Sequence, residues 1–271
     1  MRPPRLVATD LDGTLLRPDG TVSSRTARVL REVDAAGVTV VFVTARPPRW
    51  IDAIAGSVAG HGTVICGNGA FVYDVATREV LAVNGFGHDL VQAIVRDVRH
   101  EVDDVRFAAE RSSGLWFEPG FPHDPEHPVP ADAVEAPIET LAGEAVGKLL
   151  ARSEALPEGD FLDLVAAVVG QRAHVAYSGA GGLAEINAPG VTKAAALERW
   201  AARLGIGAEE VWAFGDMPND LPMLRWAGVG WAVANAHPDV RRVADRTCGS
   251  NAADGVAGAL EQLLPGSVQK V

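Results

Sequence analysis

The run Val38-Thr39-Val40-Val41-Phe42-Val43 constrains this chain more than any other stretch. It is apolar or β-branched at every position, so neither side of it suits water. A strand of that kind belongs inside a parallel sheet covered on both faces. Leu6–Ala8 and Thr63–Cys66 repeat the theme in shorter form. Between the first two runs, Ser23 or Ser24 is placed to cap a helix whose apolar stripe is Val29, Leu30, Val33 and Ala36, ended by Gly37. A second helix is expected from Pro47 or Pro48, because proline suits a first turn. Strand, helix, strand, helix, strand at this spacing means βαβ units and an open α/β sheet.

The pattern then changes. Phe71–Tyr73 and Val80–Val83 read as a hairpin. From Gly85 to Ile186, two helices (Leu90–Val98 and Pro157–Val169) mix with strand candidates Val105–Ala109, Leu115–Phe117, Lys148–Ala151, Ala173–Tyr177 and Leu183–Ile186. Glu118–Pro137, rich in prolines and acids, reads as an exposed loop. The α/β pattern resumes at Val191, with a helix capped by Thr192, a strand Val211–Phe214, a helix Leu221–Trp226, a strand Gly228–Val233 and a helix Gly255–Leu264. The expectation is a Rossmann-like, doubly wound parallel-sheet core from residues 1–84 and 188–271, split by an inserted α+β domain at 85–187.

Composition narrows the function. The 271 residues carry a formal charge of −11, with no basic stripe, which argues against a nucleic acid partner but not against small anions held at a local positive site. No apolar stretch approaches the roughly 20 residues of a membrane span. Met1–Arg5 is charged, but the apolar run behind it is cut short by Asp10, so it does not read as a signal peptide. The two cysteines, Cys66 and Cys248, have no metal-ligand or redox spacing; one disulfide is open to them, but reduced thiols in a cytoplasmic protein fit better.

Four groups fall at strand ends or helix starts, where open α/β sheets place their sites. Asp10 and Asp12, in Asp10-Leu11-Asp12-Gly13-Thr14, point the same way from an extended segment, and Gly13 lets the chain turn. Two such acids suit a shared cation, with one as nucleophile and the other moving protons; an ion-pair network is the alternative. A calcium loop fails, since Leu15 and Thr21 stand where Gly and Glu are needed. Thr44 either binds a phosphate oxygen or serves as a helix cap before Pro47. Lys193, in the first turn of its helix, gains nothing from the helix dipole but suits a phosphate there; the alternative is a solvent-exposed lysine. Asp216, Asn219 and Asp220 suit Mg²⁺, or else form a polar turn leading into a helix.

In order and context these groups resemble the haloacid dehalogenase-like hydrolase superfamily, and within it the Cof-type sugar-phosphatase branch with a type C2 cap. The matching motifs are Asp10–Thr14, Thr44, Lys193 and Gly215-Asp216-x-x-Asn219-Asp220. Cys66–Ala70, Asn187–Lys193 and Asn251–Val256 add to the branch likeness, whereas the middle third matches mainly in size and placement. The resemblance implies that Asp10 forms an aspartyl-phosphate and that Asp12 protonates the leaving alcohol and then activates water. Thr44, Arg46, Lys193 and Asn219 would hold the phosphoryl group, and Asn68 would lie near the substrate. Asp10, the Asp12 carbonyl, Asp216 and Asp220 would form the Mg²⁺ site. Ala45 before Arg46, where the branch has glycine, and Pro218 in the acidic loop depart from the pattern without replacing a catalytic atom.

The function so implied is Mg²⁺-dependent hydrolysis of a small phosphorylated metabolite, a sugar phosphate first among them, by a cytoplasmic monomer or weak homodimer. The alternatives are a phosphomutase of the same fold, or a non-catalytic small-molecule binding or regulatory protein. The inserted module should supply specificity, with Arg111, Trp116, His123, His127 and Arg172 as candidates. His123 and His127 have helical metal-ligand spacing, but Pro122, Pro125 and Pro128 argue against a helix there.

Overall fold

A chain with several fully apolar strands must bury both faces of the sheet they form. The computed structural model, which describes residues 3–52, 54, 62–123, 128–176 and 182–264, does so with a parallel sheet flanked by helices, the α/β core expected from the sequence. Strands β1 (Leu6–Thr9), β2 (Thr39–Val43) and β3 (Thr63–Cys66) are followed by the hairpin β4 (Phe71–Asp74) and β5 (Glu79–Val83). Strands β6 (Arg106–Arg111), β7 (Gly114–Phe117), β8 (Val134–Glu135), β9 (Lys148–Arg152), β10 (His174–Ala176) and β11 (Leu183–Asn187) come next. β12 (Val211–Gly215), β13 (Val229–Ala232) and β14 (Arg246–Thr247) complete the set. The first sheet has the order β14-β13-β12-β1-β2-β3-β4-β5, parallel from β14 to β3 and antiparallel beyond. β1 lies between β2 and β12, so the direction of winding reverses at its carboxyl end, where α/β sheets open a crevice.

Helices α1 (Ser24–Ala35), α4 (Lys193–Arg203), α5 (Leu221–Trp226), α6 (Pro238–Val243) and α7 (Gly255–Leu260) flank this sheet. Ser23 caps α1 by accepting from the Thr26 N–H at 3.0 Å, and Thr192 caps α4 by accepting from the Ala195 N–H at 3.1 Å. The expected helix after Pro47 opens with a short turn, Pro48–Trp50, and Asp52 and Ile54 are helical; residues 53 and 55–61 of that stretch lie outside the described residues. Helix α6 and strand β14 were not read from the sequence, being short and without a clear period. Cys66 and Cys248 are both free thiols. No helix among the described residues is long and apolar enough to cross a membrane.

The second sheet, order β10-β11-β9-β6-β7-β8, carries helices α2 (His88–Glu101) and α3 (Glu158–Val169). Its strands alternate. Phe107, Leu149, Ala151 and Ile186 are buried in one core with Val91, Ile94, Phe161 and Val165 of the helices, while Ala108, Leu115, Phe117, Phe121 and Leu150 form a separate apolar cluster. Glu118–Pro137 is only partly the exposed loop expected. Glu118 is buried, accepts hydrogen bonds from the Phe107 and Ile138 backbone N–H groups at 2.8 and 3.2 Å, and pairs with Arg99. Its carboxylate holds backbone together, which proline-rich composition does not reveal.

The two sheets meet at a bridge between Phe86 and Val146. Beside it, the Phe71 ring lies so close to Gly147 that a Cβ there would sit 2.1 Å from the ring's Cζ. Gly147→Ala is therefore expected to force an overpacked junction and cost about 1–3 kcal/mol. A thermal melt would show this as a Tm drop of several degrees; an unchanged Tm would mean the junction yields freely.

Candidate active site

Strand β1 delivers Asp10 to the crevice. The Asp10 N–H donates to the Phe214 carbonyl of β12 at 3.0 Å, and the chain then makes one wide turn, closed by the Leu16 N–H donating to the Leu11 carbonyl at 2.8 Å. Gly13 makes the turn possible. Its φ is +78°, and a Cβ there would lie 2.3 Å from Asp216 Oδ2. The turn is held from outside by residues far along the chain. Asn235 Nδ2 donates to the Gly13 carbonyl at 2.7 Å, Asn251 Nδ2 donates to the Leu16 carbonyl at 2.8 Å, and Arg17 grips Asp254 with two bonds of 3.0 and 2.9 Å. Sequence reasoning noted Asn251 and Asp254 as a motif without a role; Asn235 and Arg17 it missed.

Lys193 is the cation at the centre. Its side chain is 2% exposed, and Nζ donates to Asp10 Oδ1 at 2.6 Å and Asp220 Oδ1 at 2.7 Å. It is thus not the solvent-exposed lysine that the sequence left open. Burial pulls the ammonium down, but the Asp10 and Asp220 carboxylates outweigh it and hold Lys193 above its ordinary value. Carboxylate oxygens of Asp10, Asp216 and Asp220 lie within 4.8 Å of one another. Burial, with Asp220, Asp216 and Asp12 adding, keeps the Asp10 carboxyl well above the usual range despite Lys193. Burial first, then Asp220, pushes Asp216 up to about 6.

These acids differ in what their oxygens already do. Asp220 Oδ2 accepts from the backbone N–H groups of Asp216 and Met217, both at 3.0 Å, and Oδ1 accepts from Lys193, so Asp220 braces the loop. Asp216 Oδ1 accepts from the Thr14 hydroxyl at 2.8 Å. Asp10 Oδ2 and Asp216 Oδ2 accept from no described residue. Two carboxylates in one buried cluster, each with an unengaged oxygen and raised proton affinity, are a donor set that a small hard cation satisfies. Asp220 fits that set less well than the sequence expectation had it.

The other expected residues fall into place unevenly. Asp12 faces the same cleft as Asp10, but its carboxylate is gripped by Arg46, Nε to Oδ2 at 2.8 Å and Nη2 to Oδ1 at 2.6 Å. Thr44 is fully buried and its hydroxyl accepts from the Arg46 N–H at 3.1 Å, within the loop; the turn Pro48–Trp50 follows Pro47 and takes no side-chain cap. Asn68, with φ +59°, is buried behind the cleft. It donates to Glu185 Oε2 at 2.7 Å and accepts from Asn219 Nδ2 at 3.1 Å. Asn219 lines the cleft, and its Oδ1 is buried without a partner.

The cleft holds about 320 Å³ between the two sheets. Arg49 clasps Glu110, with Nη2 to Oε1 at 2.7 Å, and Lys148 Nζ reaches the Ala45 carbonyl at 2.8 Å and Glu185 Oε2 at 3.1 Å. Arg49, Glu110, Lys148 and Glu185 were not singled out from the sequence as site residues, since nothing local marks them. His123 lines the cleft as expected. Arg111 instead pairs with Glu144 and lies over Trp116, whose Nε1–H donates to the Ala136 carbonyl. Arg172 binds Asp97. These three serve the second sheet's own structure, not the cleft. His127 lies outside the described residues.

A family model described as haloacid dehalogenase-like hydrolase matches residues 7–260. The 5-amino-6-(5-phospho-D-ribitylamino)uracil phosphatase of Bacillus subtilis is 30% identical over 270 residues, 96% of this chain and 97% of that one. The HMP-PP phosphatase of Cronobacter sakazakii is 30% identical over 246 residues, 87% of this chain and 86% of its own. A haloacid dehalogenase-like hydrolase structure from Bacteroides thetaiotaomicron has the same fold, with a TM-score of 0.78 at 24% identity, covering 96% of this chain and 99% of that chain. Matched by that family model over residues 7–260, nearly its whole length, the chain belongs to the haloacid dehalogenase-like hydrolases.

Proposed function

We propose that this protein is a Mg²⁺-dependent phosphatase that hydrolyses a small phosphorylated metabolite through an aspartyl-phosphate on Asp10, with residues 85–187 as a cap over the site. The observation that carries this is the buried Lys193 ammonium, held between Asp10 and Asp220 with Asp216 beside them, at the carboxyl ends of β1 and β12. The relatives named as phosphatases support the same reaction class.

Phosphoryl transfer asks the protein mainly for position and charge. Lys193 anchors Asp10 and offers its charge to the phosphoryl oxygens. The Asp10 carboxylate attacks phosphorus while the bond to the leaving alcohol breaks, and Asp12 gives that oxygen a proton. Asp12 then takes a proton from the water that attacks the same phosphorus, which releases phosphate and restores Asp10. Arg46 fixes Asp12 at the cleft edge, and arriving phosphoryl oxygens compete for its guanidinium and free the carboxylate for proton transfer. Thr44 shapes the backbone that carries Arg46, and Asn219 offers its amide to the substrate. Asp10 and Asp216, with the Asp12 carbonyl, would hold Mg²⁺, which supplies positive charge to the phosphoryl oxygens.

Asp10→Asn is expected to lower hydrolysis of a generic aryl phosphate by about 10³-fold or more, because an amide cannot form the acyl phosphate. Near-normal turnover would remove Asp10 from the mechanism.

A second expectation concerns pH. Asp216 sits at about 6, against 3.8 for a free aspartate, so its contribution to metal-free stability is full below about 4 and lost as pH rises through 6. Mg²⁺ relieves that repulsion only where the carboxylates are ionised. The rise in Tm on adding Mg²⁺ should be larger at pH 7.5 than at pH 5, and Asp216→Asn should shrink it at pH 7.5. Equal rises at both pH values would contradict the metal assignment.

A further inference from the structure

The cap sheet turns one face toward the acid cluster, and its side chains there lie in rows set by strand register. Nearest the cluster, Leu115, Glu110 and Lys148 are neighbours across β7, β6 and β9. In the next row are Phe117, Ala108, Leu150 and Glu185. In the third, Arg106, Arg152 and Leu183 are aligned. The charges nearest the cluster are already paired: Glu110 with Arg49, and Lys148 with Glu185. Beside and beyond these pairs, Leu115, Leu150, Leu183 and Phe121 give the cleft wall its apolar surface.

Arg152 lies at the far end of that wall and lines the same cleft. Its Nε is buried without a hydrogen-bond partner, and Nη1 reaches only the Pro122 carbonyl, at 3.5 Å. Among the described residues it makes no ion pair. A cation with a buried, unanswered N–H is costly unless something else completes it. His123 is its neighbour, edge-on to Phe117 at 4.6 Å and Phe121 at 5.5 Å. Burial, then the Arg49 and Arg152 guanidiniums, hold His123 below its ordinary value, with Glu135 opposing, so it adds a neutral N–H to that end of the cleft. At a rise of about 3.3 Å per residue, Arg152 stands about 13 Å along β9 from Lys148.

We propose that the substrate is a phosphate monoester whose alcohol carries a compact apolar body and, at its far end, an oxyanion that Arg152 takes. This rests on the phosphatase reading and makes it narrower. A bare hexose phosphate fits poorly. Its ring hydroxyls would face Leu115, Leu150 and Leu183, which offer no partner, and each unpaired hydroxyl weakens binding. An apolar body gains from the same wall, and an oxyanion completes the Arg152 fork with charge-assisted bonds. Carboxylate and phosphate share that chemistry.

The test uses the full chain with Mg²⁺ and four probes: benzyl phosphate, 4-carboxybenzyl phosphate, the bisphosphate of 1,4-benzenedimethanol, and glucose 6-phosphate. The better of the two oxyanion esters should exceed benzyl phosphate by about tenfold or more in kcat/KM, mainly through KM. Which of the two is better identifies the oxyanion. Glucose 6-phosphate should be the poorest of the four. Arg152→Met should bring the ratio of oxyanion ester to benzyl phosphate to about one, and Arg152→Lys should restore part of it. Should Arg152→Met fail to fold, the wild-type ranking and Arg152→Lys decide. Equal rates with and without the oxyanion, a preference for glucose 6-phosphate, or an Arg152→Met loss shared equally by all probes would overturn the inference and leave the phosphatase reading standing. Hydrolysis of none of the four would overturn both.

Discussion

The site depends on one buried ammonium. Lys193 is enclosed at the start of α4 and meets two carboxylates at 2.6 and 2.7 Å. Without it, Asp10 and Asp220 would face each other and Asp216 with no compensating charge, in a setting where burial already disfavours their ionised forms. Its partners bring β1, β12 and α4 to one point. Gly13 has no side chain so that Asp216 can approach, and Asn235 and Asn251 hold the turn from behind. Three carboxylates against one ammonium leave an excess of two negative charges, which a divalent hard cation would balance.

Around that point the molecule divides its labour by strand alternation. On strand β9 of the second sheet, Leu149 and Ala151 bury themselves under helices α2 and α3, while Lys148, Leu150 and Arg152 face the cleft. One strand thus supplies a charged tie to the core, an apolar wall and a distal cation in succession. Lys148 on the Ala45 carbonyl and Glu110 on Arg49 link this face to the loop carrying Arg46, and through Arg46 to Asp12.

Much of the core was legible because its signals are local. The apolar run at Val38–Val43 names its own environment, and Ser23 and Thr192 cap the helices they precede. The site was legible differently. Asp10 and Asp216 stand about 200 residues apart, and no periodicity joins them; resemblance did, and the β1–β12 pairing gives the physical reason. Thr44 was ambiguous in the sequence, and its hydroxyl serves the backbone. Glu118 and Arg152 were not legible. One sits in a segment whose prolines suggest exposure, and the other faces the cleft only because of the register between β9 and its neighbours. Burial of a charge is decided by tertiary partners, which a single sequence does not display.

The central claim is that Asp10 takes the phosphoryl group before water does. Stereochemistry at phosphorus tests it most directly, with a phosphate ester made chiral by oxygen isotopes and hydrolysed by the Mg²⁺-loaded protein. Two successive in-line displacements, first by Asp10 and then by water, predict retention of configuration. Inversion would mean a single direct attack by water, and would contradict the account.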